Sequence, residues 1–114
     1  MNNRQYFIYI LTNKAKTVLY IGVTNNLPQR VVEHFINRGS AKSFTGKYHC
    51  YYLLYFEKTQ YIDVAIKREK KIKGWTRKKK VELINSANPN WNFLNNDIME
   101  WPPSGDVIMR GGGD

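Results

Sequence analysis

Residues 5–23 read QYFIYILTNKAKTVLYIGV, two apolar runs joined by a short polar segment. Both runs are rich in aromatic and β-branched side chains, which favour β-strands. The connection at residues 13–17 is polar and short, and this spacing predicts a hairpin. Gly22 lies inside the second run, where a glycine indicates a bulge or the close approach of another group to the backbone.

Downstream of this hairpin the apolar residues change to helical spacing. Asn26 and Gln29 have the spacing of a helix capping box, and an amphipathic segment follows them. We expect this helix to end near residues 37–39, with Gly39 supplying the positive φ, and a small-residue loop to cover residues 39–46. Residues 51–57 are rich in aromatic side chains and predict a third strand.

Two further helices are expected after the third strand. The first runs from residue 62 to about Gly74, and its repeating face carries Ile62, Ala65, Ile66, Glu69 and Ile72. Thr76 is a suitable N-cap for the second, over residues 77–85. Beyond it, Trp91, Phe93 and Leu94 are expected to fold back onto the core. The order β-β-α-β-α-α predicts an α+β domain over residues 1–95, with a small, three-stranded, mostly antiparallel sheet flanked by helices. Residues 96–114 are expected to form a flexible C-terminal tail.

The composition excludes several classes of protein. A chain of 114 residues suits a single domain. Cys50 is the only cysteine, so a scaffold held together by internal disulfides is excluded. No apolar run approaches the roughly 20 residues that span a bilayer, and the N-terminus lacks the pattern of a signal peptide. We therefore expect a cytoplasmic protein without a membrane segment.

Positive charge is concentrated in the first 84 residues. The whole chain carries +9, whereas residues 1–84 alone hold seventeen basic and five acidic side chains, which gives +12. Such an excess favours a polyanionic partner, although a solvated basic helix face is the alternative for the run at residues 67–80. The candidates for phosphate contact are Lys42, Lys47, Lys67, Lys70, Lys71, Lys73, Arg77, Lys78, Lys79 and Lys80.

Glu69 does not fit a purely structural interpretation of its helix. A carboxylate on an apolar face costs several kcal/mol unless it is paired or bound to a cation. It either binds a cation or lies at the edge of the face and pairs with Lys73 four residues on. Arg30 and His34 are also four apart and therefore share a helix face; they could bind phosphate and relay protons, or His34 could be a structural group.

Taken together, these residues resemble the GIY-YIG nuclease family, and the chain looks like its small standalone members. Phe7-Ile8-Tyr9 stands where the family has Gly-Ile-Tyr, and Tyr20-Ile21-Gly22 matches Tyr-Ile-Gly. Arg30 follows eight residues after Gly22, as in the second family motif, and Glu69 lies on a later helix, where the family keeps its metal-binding Glu. The resemblance covers residues 6–94.

The resemblance implies a metal-dependent endonuclease that hydrolyses DNA phosphodiester bonds, selects DNA by structure and serves repair or recombination. Glu69 would hold one Mg²⁺ (or Mn²⁺) ion. Tyr20 would activate the attacking water, and because a free tyrosine has a pKa of about 10, nearby positive charge must help it ionise. Arg30 would stabilise charge on the phosphate. The complete catalytic set implied by the resemblance is Tyr9, Tyr20, Arg30, His34, Glu69 and Asn88.

Two positions depart from the family pattern. Val23 stands where some relatives have a Lys, so the charge near Tyr20 is expected from Lys42 or Lys47. The late Asn of the family is assigned to Asn88, with Asn85 and Asn90 as rivals. The expected partner is DNA, contacted mainly through phosphates, and no protein partner is indicated. The alternative is a non-catalytic nucleic-acid-binding module with the same fold; an RNA-binding domain of the RRM type is disfavoured because its strand motif is missing.

Overall fold

The computed structural model describes residues 4–104 and has the predicted α+β architecture. Strands β1 (Tyr6–Thr12), β2 (Leu19–Thr24) and β3 (Tyr52–Thr59) form one sheet in the order β2-β1-β3. Both strand pairs are antiparallel, where the sequence predicted a mostly antiparallel sheet. The helices are α1 (Leu27–Ile36), α2 (Phe44–Tyr48), α3 (Ile62–Lys73), α4 (Arg77–Ala87) and α5 (Asn95–Ile98). Within residues 4–104, no helix has the length and apolar character needed to cross a membrane.

The predicted hairpin is confirmed, and Asn13 closes its turn. The Oδ1 atom of Asn13 accepts hydrogen bonds from the backbone N–H groups of Thr17 at 2.8 Å and Val18 at 3.2 Å. Lys16 takes a positive φ of 61° in the same turn. The turn fixes the register of β1 on β2, in which Tyr9 lies directly opposite Gly22.

The two faces of the sheet are covered by different helices, because successive strand residues point to opposite sides. Ile8, Ile10 and Ile21 pack in one buried cluster with apolar residues of α3 and α4. Tyr9 and Leu11 belong to a second cluster, with Leu27 and Val31 of α1. Each fully buried aliphatic side chain contributes about 1.5–3 kcal/mol to stability. The candidate tyrosines Tyr9 and Tyr20 therefore lie on the face of the sheet that α1 covers.

Two expectations about the helices are wrong. The predicted loop at residues 39–46 contains the start of α2, whose N-cap Ser43 accepts a hydrogen bond from the N–H of Gly46 at 3.1 Å. A helix of five residues is too short to show periodicity. On α3, Ile62 and Ile66 are 54% and 39% exposed. The buried stripe runs through Ala65 and Ile72 instead, and a stripe covers only part of a helix circumference.

The packed domain continues past the predicted boundary at residue 95, which falls inside α5. The buried Asn95 side chain accepts a hydrogen bond from the N–H of Leu53 at 2.9 Å and donates one to the carbonyl of Tyr51 at 3.0 Å. The ring of Trp101 lies 5.1 Å from that of Phe35. As predicted, Trp91, Phe93 and Leu94 return to the core. The rest of the predicted tail, residues 105–114, lies outside the described residues.

Candidate active site

The absent side chain of Gly22 makes room for the ring of Tyr9. The two residues face each other across the β1–β2 ladder. A Cβ atom on Gly22 would overlap the Cζ and hydroxyl oxygen of Tyr9 and would lie 2.9 Å from its Cε1. The close approach predicted from a glycine in this strand is therefore confirmed, and the approaching group is a tyrosine of the site.

Tyr9, His34 and Thr45 form a buried hydrogen-bonded chain from β1 through α1 to α2. The Tyr9 hydroxyl lies 3.0 Å from Nε2 of His34, and Nδ1 of His34 lies 2.9 Å from Oγ1 of Thr45. All three residues are buried. Thr45 was not predicted as a site residue, because it lies in helix α2, which is too short to show helical periodicity in the sequence. The chain fixes the imidazole at both nitrogens, so its ring has a single orientation in the site.

Burial keeps both ionisable members of this chain neutral. It lowers the pKa of His34 to about 4, with a further contribution from the positive charge of Arg30. It also raises the pKa of Tyr9 to about 12, and the neighbouring Tyr20 acts in the same direction. At neutral pH the site therefore contains an imidazole and a phenol rather than an imidazolium and a phenolate.

Tyr20 lies among three other rings. Its ring centroid is 6.3 Å from that of Tyr9 and 5.6 Å from that of His34, which it meets edge-on. Phe44 of α2 stacks on it at 6.1 Å. Phe44 was not predicted as a site residue, for the same reason as Thr45. Tyr20 remains partly exposed, so solvent reaches it.

Arg30 brings a positive charge to the open side of this ring cluster. Its Nη1 atom lies 2.9 Å from Oε1 of Glu33, and both side chains are partly exposed. Burial works against the charged form, but the hydrogen bond to Glu33 and the interaction with Tyr9 together raise the pKa of Arg30. As the spacing predicted, Arg30 and His34 lie on the same side of α1, and both interact with Tyr9.

Glu69 is paired with Lys73, as one of the two sequence interpretations predicted. The Lys73 Nζ lies 2.9 Å from Oε2 of Glu69, and the two side chains are 50% and 12% exposed respectively. The hydrogen bond from Lys73 to Glu69 raises the pKa of Lys73, and Tyr20 adds to the effect. Glu69 in turn contributes to the raised pKa of Tyr9. The ion pair therefore belongs to the same electrostatic cluster as the tyrosines.

The ligands that this cluster offers suit Mg²⁺ better than a cation whose ligands must all come from the protein. In the part of the chain that the structure describes, no three His, Cys, Asp or Glu side chains lie together as a metal-binding group. Mg²⁺ is commonly held by one or two carboxylates, with waters and substrate phosphates completing its shell. Glu69 supplies one such carboxylate, and the Lys73 ammonium already lies against it as a cation.

The basic candidates lie at the surface of the protein. All are exposed except Lys80, which is half-buried. Lys47 extends over the ring of Tyr48 at 5.3 Å, and Lys79 over that of Trp75 at 4.6 Å. Lys73 interacts electrostatically with Tyr20, a role that the sequence assigned to Lys42 or Lys47.

Asn88 is not among the side chains that meet around Tyr9. It is buried, and its Nδ2 donates hydrogen bonds to the carbonyls of Leu54 at 2.9 Å and Asn92 at 2.8 Å. Its Oδ1 accepts one from the N–H of Asn92 at 3.1 Å. Asn88 therefore ties the segment after α4 to β3. Of its rivals, Asn85 accepts a hydrogen bond from the Trp91 indole.

Comparison with known proteins shows that most of the candidate site residues lie in a segment that this chain shares with a protein family. Residues 5–82 match the family model described as the GIY-YIG catalytic domain. The UPF0213 proteins of Staphylococcus aureus strains Mu50, N315 and MW2 are each 35% identical over 79 residues, which covers 69% of this chain and 93% of the relative. No solved structure gives a significant match. The matched segment includes Tyr9, Tyr20, Arg30, His34 and Glu69, and it ends before Asn88.

Proposed function

The chain belongs to the GIY-YIG family, and from that membership and the site geometry we propose that it is a metal-dependent endonuclease that hydrolyses DNA phosphodiester bonds. One observation carries the proposal. Four elements, β1, β2, α1 and α3, bring Tyr9, Tyr20, Arg30, His34 and Glu69 into one interacting cluster. Binding to nucleic acid requires positive charge, but binding alone does not require a buried phenol–imidazole pair or a nearly covered carboxylate.

The proposed metal ligand is Glu69. A bound Mg²⁺ or Mn²⁺ would polarise the scissile phosphate and stabilise the leaving oxygen. The remaining chemistry belongs to side chains of the protein. Arg30 is partly exposed on the open side of the cluster, where its guanidinium can contact a phosphate and stabilise the charge that develops on it.

Tyr20 is the proposed activator of the attacking water, because it is partly exposed and lies beside the other site residues. Lys73 supplies positive charge near it. Tyr9 and His34 act as a hydrogen-bonded pair in this scheme. His34 is neutral because its pKa lies at about 4, so it acts as a neutral hydrogen-bond partner that orients the Tyr9 hydroxyl.

Asn88 has a positioning role in this proposal, through its hydrogen bonds to Leu54 and Asn92. The exposed lysines and Arg77 would follow the DNA backbone. Phosphate contacts fix a protein on DNA but carry no sequence information, and we propose that the enzyme selects its DNA by shape. That kind of selectivity suits substrates of repair or recombination.

A panel of DNA structures tests the proposal. Plain, nicked, flapped and branched duplexes are incubated with the wild-type protein in Mg²⁺, Mn²⁺ or EDTA, beside Tyr20→Phe, which removes one hydroxyl and retains the ring against Phe44. We expect at least one structure to be cleaved by the wild type with metal only, and far more slowly by Tyr20→Phe. Binding across the panel without cleavage in either metal would favour the non-catalytic module instead.

A further inference from the structure

We propose that Lys73 occupies the cation position on Glu69 while no divalent ion is bound, and that the Lys73 ammonium and the ion compete for this carboxylate. The proposal rests on the proposed function, because it takes Glu69 as the metal ligand. Its basis is the 2.9 Å separation of Lys73 Nζ and Glu69 Oε2. Two cations this close to one carboxylate oxygen repel each other, so one weakens the binding of the other.

The position of Glu69 explains why it needs a cation at all times. It lies on the side of α3 that carries Ala65 and Ile72, both fully buried, and only 12% of its own side chain is exposed. A carboxylate so covered is costly without a positive partner. The Lys73 ammonium meets this requirement from within the chain.

Lys73 is the partner that can leave. It is the last residue of α3, its side chain is 50% exposed, and a lysine has four flexible methylene groups. Glu69 lies one turn earlier and is largely covered, so exchange of one cation for another requires movement of Lys73 alone. Its ammonium already interacts with Tyr20 while it is paired with Glu69, and once released it can contact a DNA phosphate. Binding of the ion would in this way free a second positive charge for the substrate.

Mn²⁺ binding measured by electron paramagnetic resonance, without DNA, tests the competition. The variants are Lys73→Gln, Lys73→Arg, Glu69→Gln and the matched control Lys71→Gln, which removes another exposed charge from the same helix. We expect Lys73→Gln to bind Mn²⁺ about threefold more tightly than Lys71→Gln, the effect of removing a partly exposed ion pair. Lys73→Arg retains the pair and should bind like the wild type.

Thermal unfolding gives a second measurement on the same proteins. In EDTA, Lys73→Gln should melt at a lower temperature than Lys71→Gln, because its Glu69 lacks a cation, and saturating Mn²⁺ should reduce the difference. Equal Mn²⁺ affinities for Lys73→Gln and Lys71→Gln would overturn the competition and leave Glu69 as the ligand. If Glu69→Gln bound Mn²⁺ as tightly as the wild type, the metal assignment in the proposed function would fail instead.

Discussion

Replacing Gly22 with alanine is expected to displace the ring of Tyr9 and thereby to disrupt the candidate site. The new methyl group would overlap the Cζ and hydroxyl oxygen of Tyr9. The ring cannot move aside freely, because it is buried among Leu27, Val31 and their neighbours and is hydrogen-bonded to His34. Overpacking a core costs about 1–3 kcal/mol, and the lost Tyr9–His34 hydrogen bond costs about 1 kcal/mol more.

The Gly22→Ala protein should therefore lose about 2–4 kcal/mol of unfolding free energy, which lowers the melting temperature of a domain this size by roughly 10 °C or more. Urea and thermal unfolding followed by circular dichroism measure both quantities. Gly74→Ala is the matched control, because a Cβ atom there would lie 3.6 Å and 3.7 Å from the carbonyl oxygens of Lys71 and Lys70, in ordinary contact. If the two variants were equally stable, the packing of Tyr9 over Gly22 would be refuted.

Three further predictions concern His34, Asn88 and the basic surface. Lowering the pH from 6.5 to 4 should reduce the unfolding free energy of the wild type by up to about 3 kcal/mol. The reason is that the pKa of His34 falls to about 4 on folding, so the unfolded chain binds the proton more readily. The unfolding free energy of His34→Gln should depend less on pH across this range. Asn88→Ala should lose about 2–3 kcal/mol in urea unfolding, whereas Asn90→Ala, at an exposed position, should not. In titrations of duplex DNA against salt, Lys78→Gln should reduce the slope of log affinity on log salt by about 0.9 if Lys78 neutralises one phosphate; an unchanged slope would remove it from the interface.

The elements that the sequence predicted are those whose signals are local and repeated. The hairpin is marked by two β-rich runs and a polar turn, and α1 by its Asn26 cap and amphipathic spacing. Helix α2 has only the first of the two helix signals, its Ser43 cap, because five residues are too few to show amphipathic spacing. The exposure of Ile62 and Ile66 also escaped prediction, because spacing reveals that a helix has an apolar side but not how far the sheet extends beneath it.

In the candidate site as well, the order of residues along the chain was predictable from the sequence, whereas contacts between distant residues were not. The order of Tyr9, Tyr20, Arg30 and Glu69 was sufficient to indicate the family, and the family model matches. The chain from His34 to Thr45 and the ring of Phe44 on Tyr20 are contacts between distant residues, and no spacing reveals them. Asn88 was selected by its place in the order, and only the structure shows that its amide is engaged with Leu54 and Asn92.

The most direct test of the proposed nuclease separates DNA binding from DNA cleavage at Glu69. For the duplex structure that the wild type cleaves fastest, the affinity is measured in EDTA and the single-turnover rate in Mg²⁺, for the wild type and for Glu69→Gln. We expect Glu69→Gln to bind at least as tightly as the wild type, because contact with phosphates depends on the basic residues and Lys73 is no longer paired. We expect its rate to be reduced by about a thousandfold or more, because charge stabilisation at the phosphate is lost. Wild-type cleavage by Glu69→Gln would contradict the account.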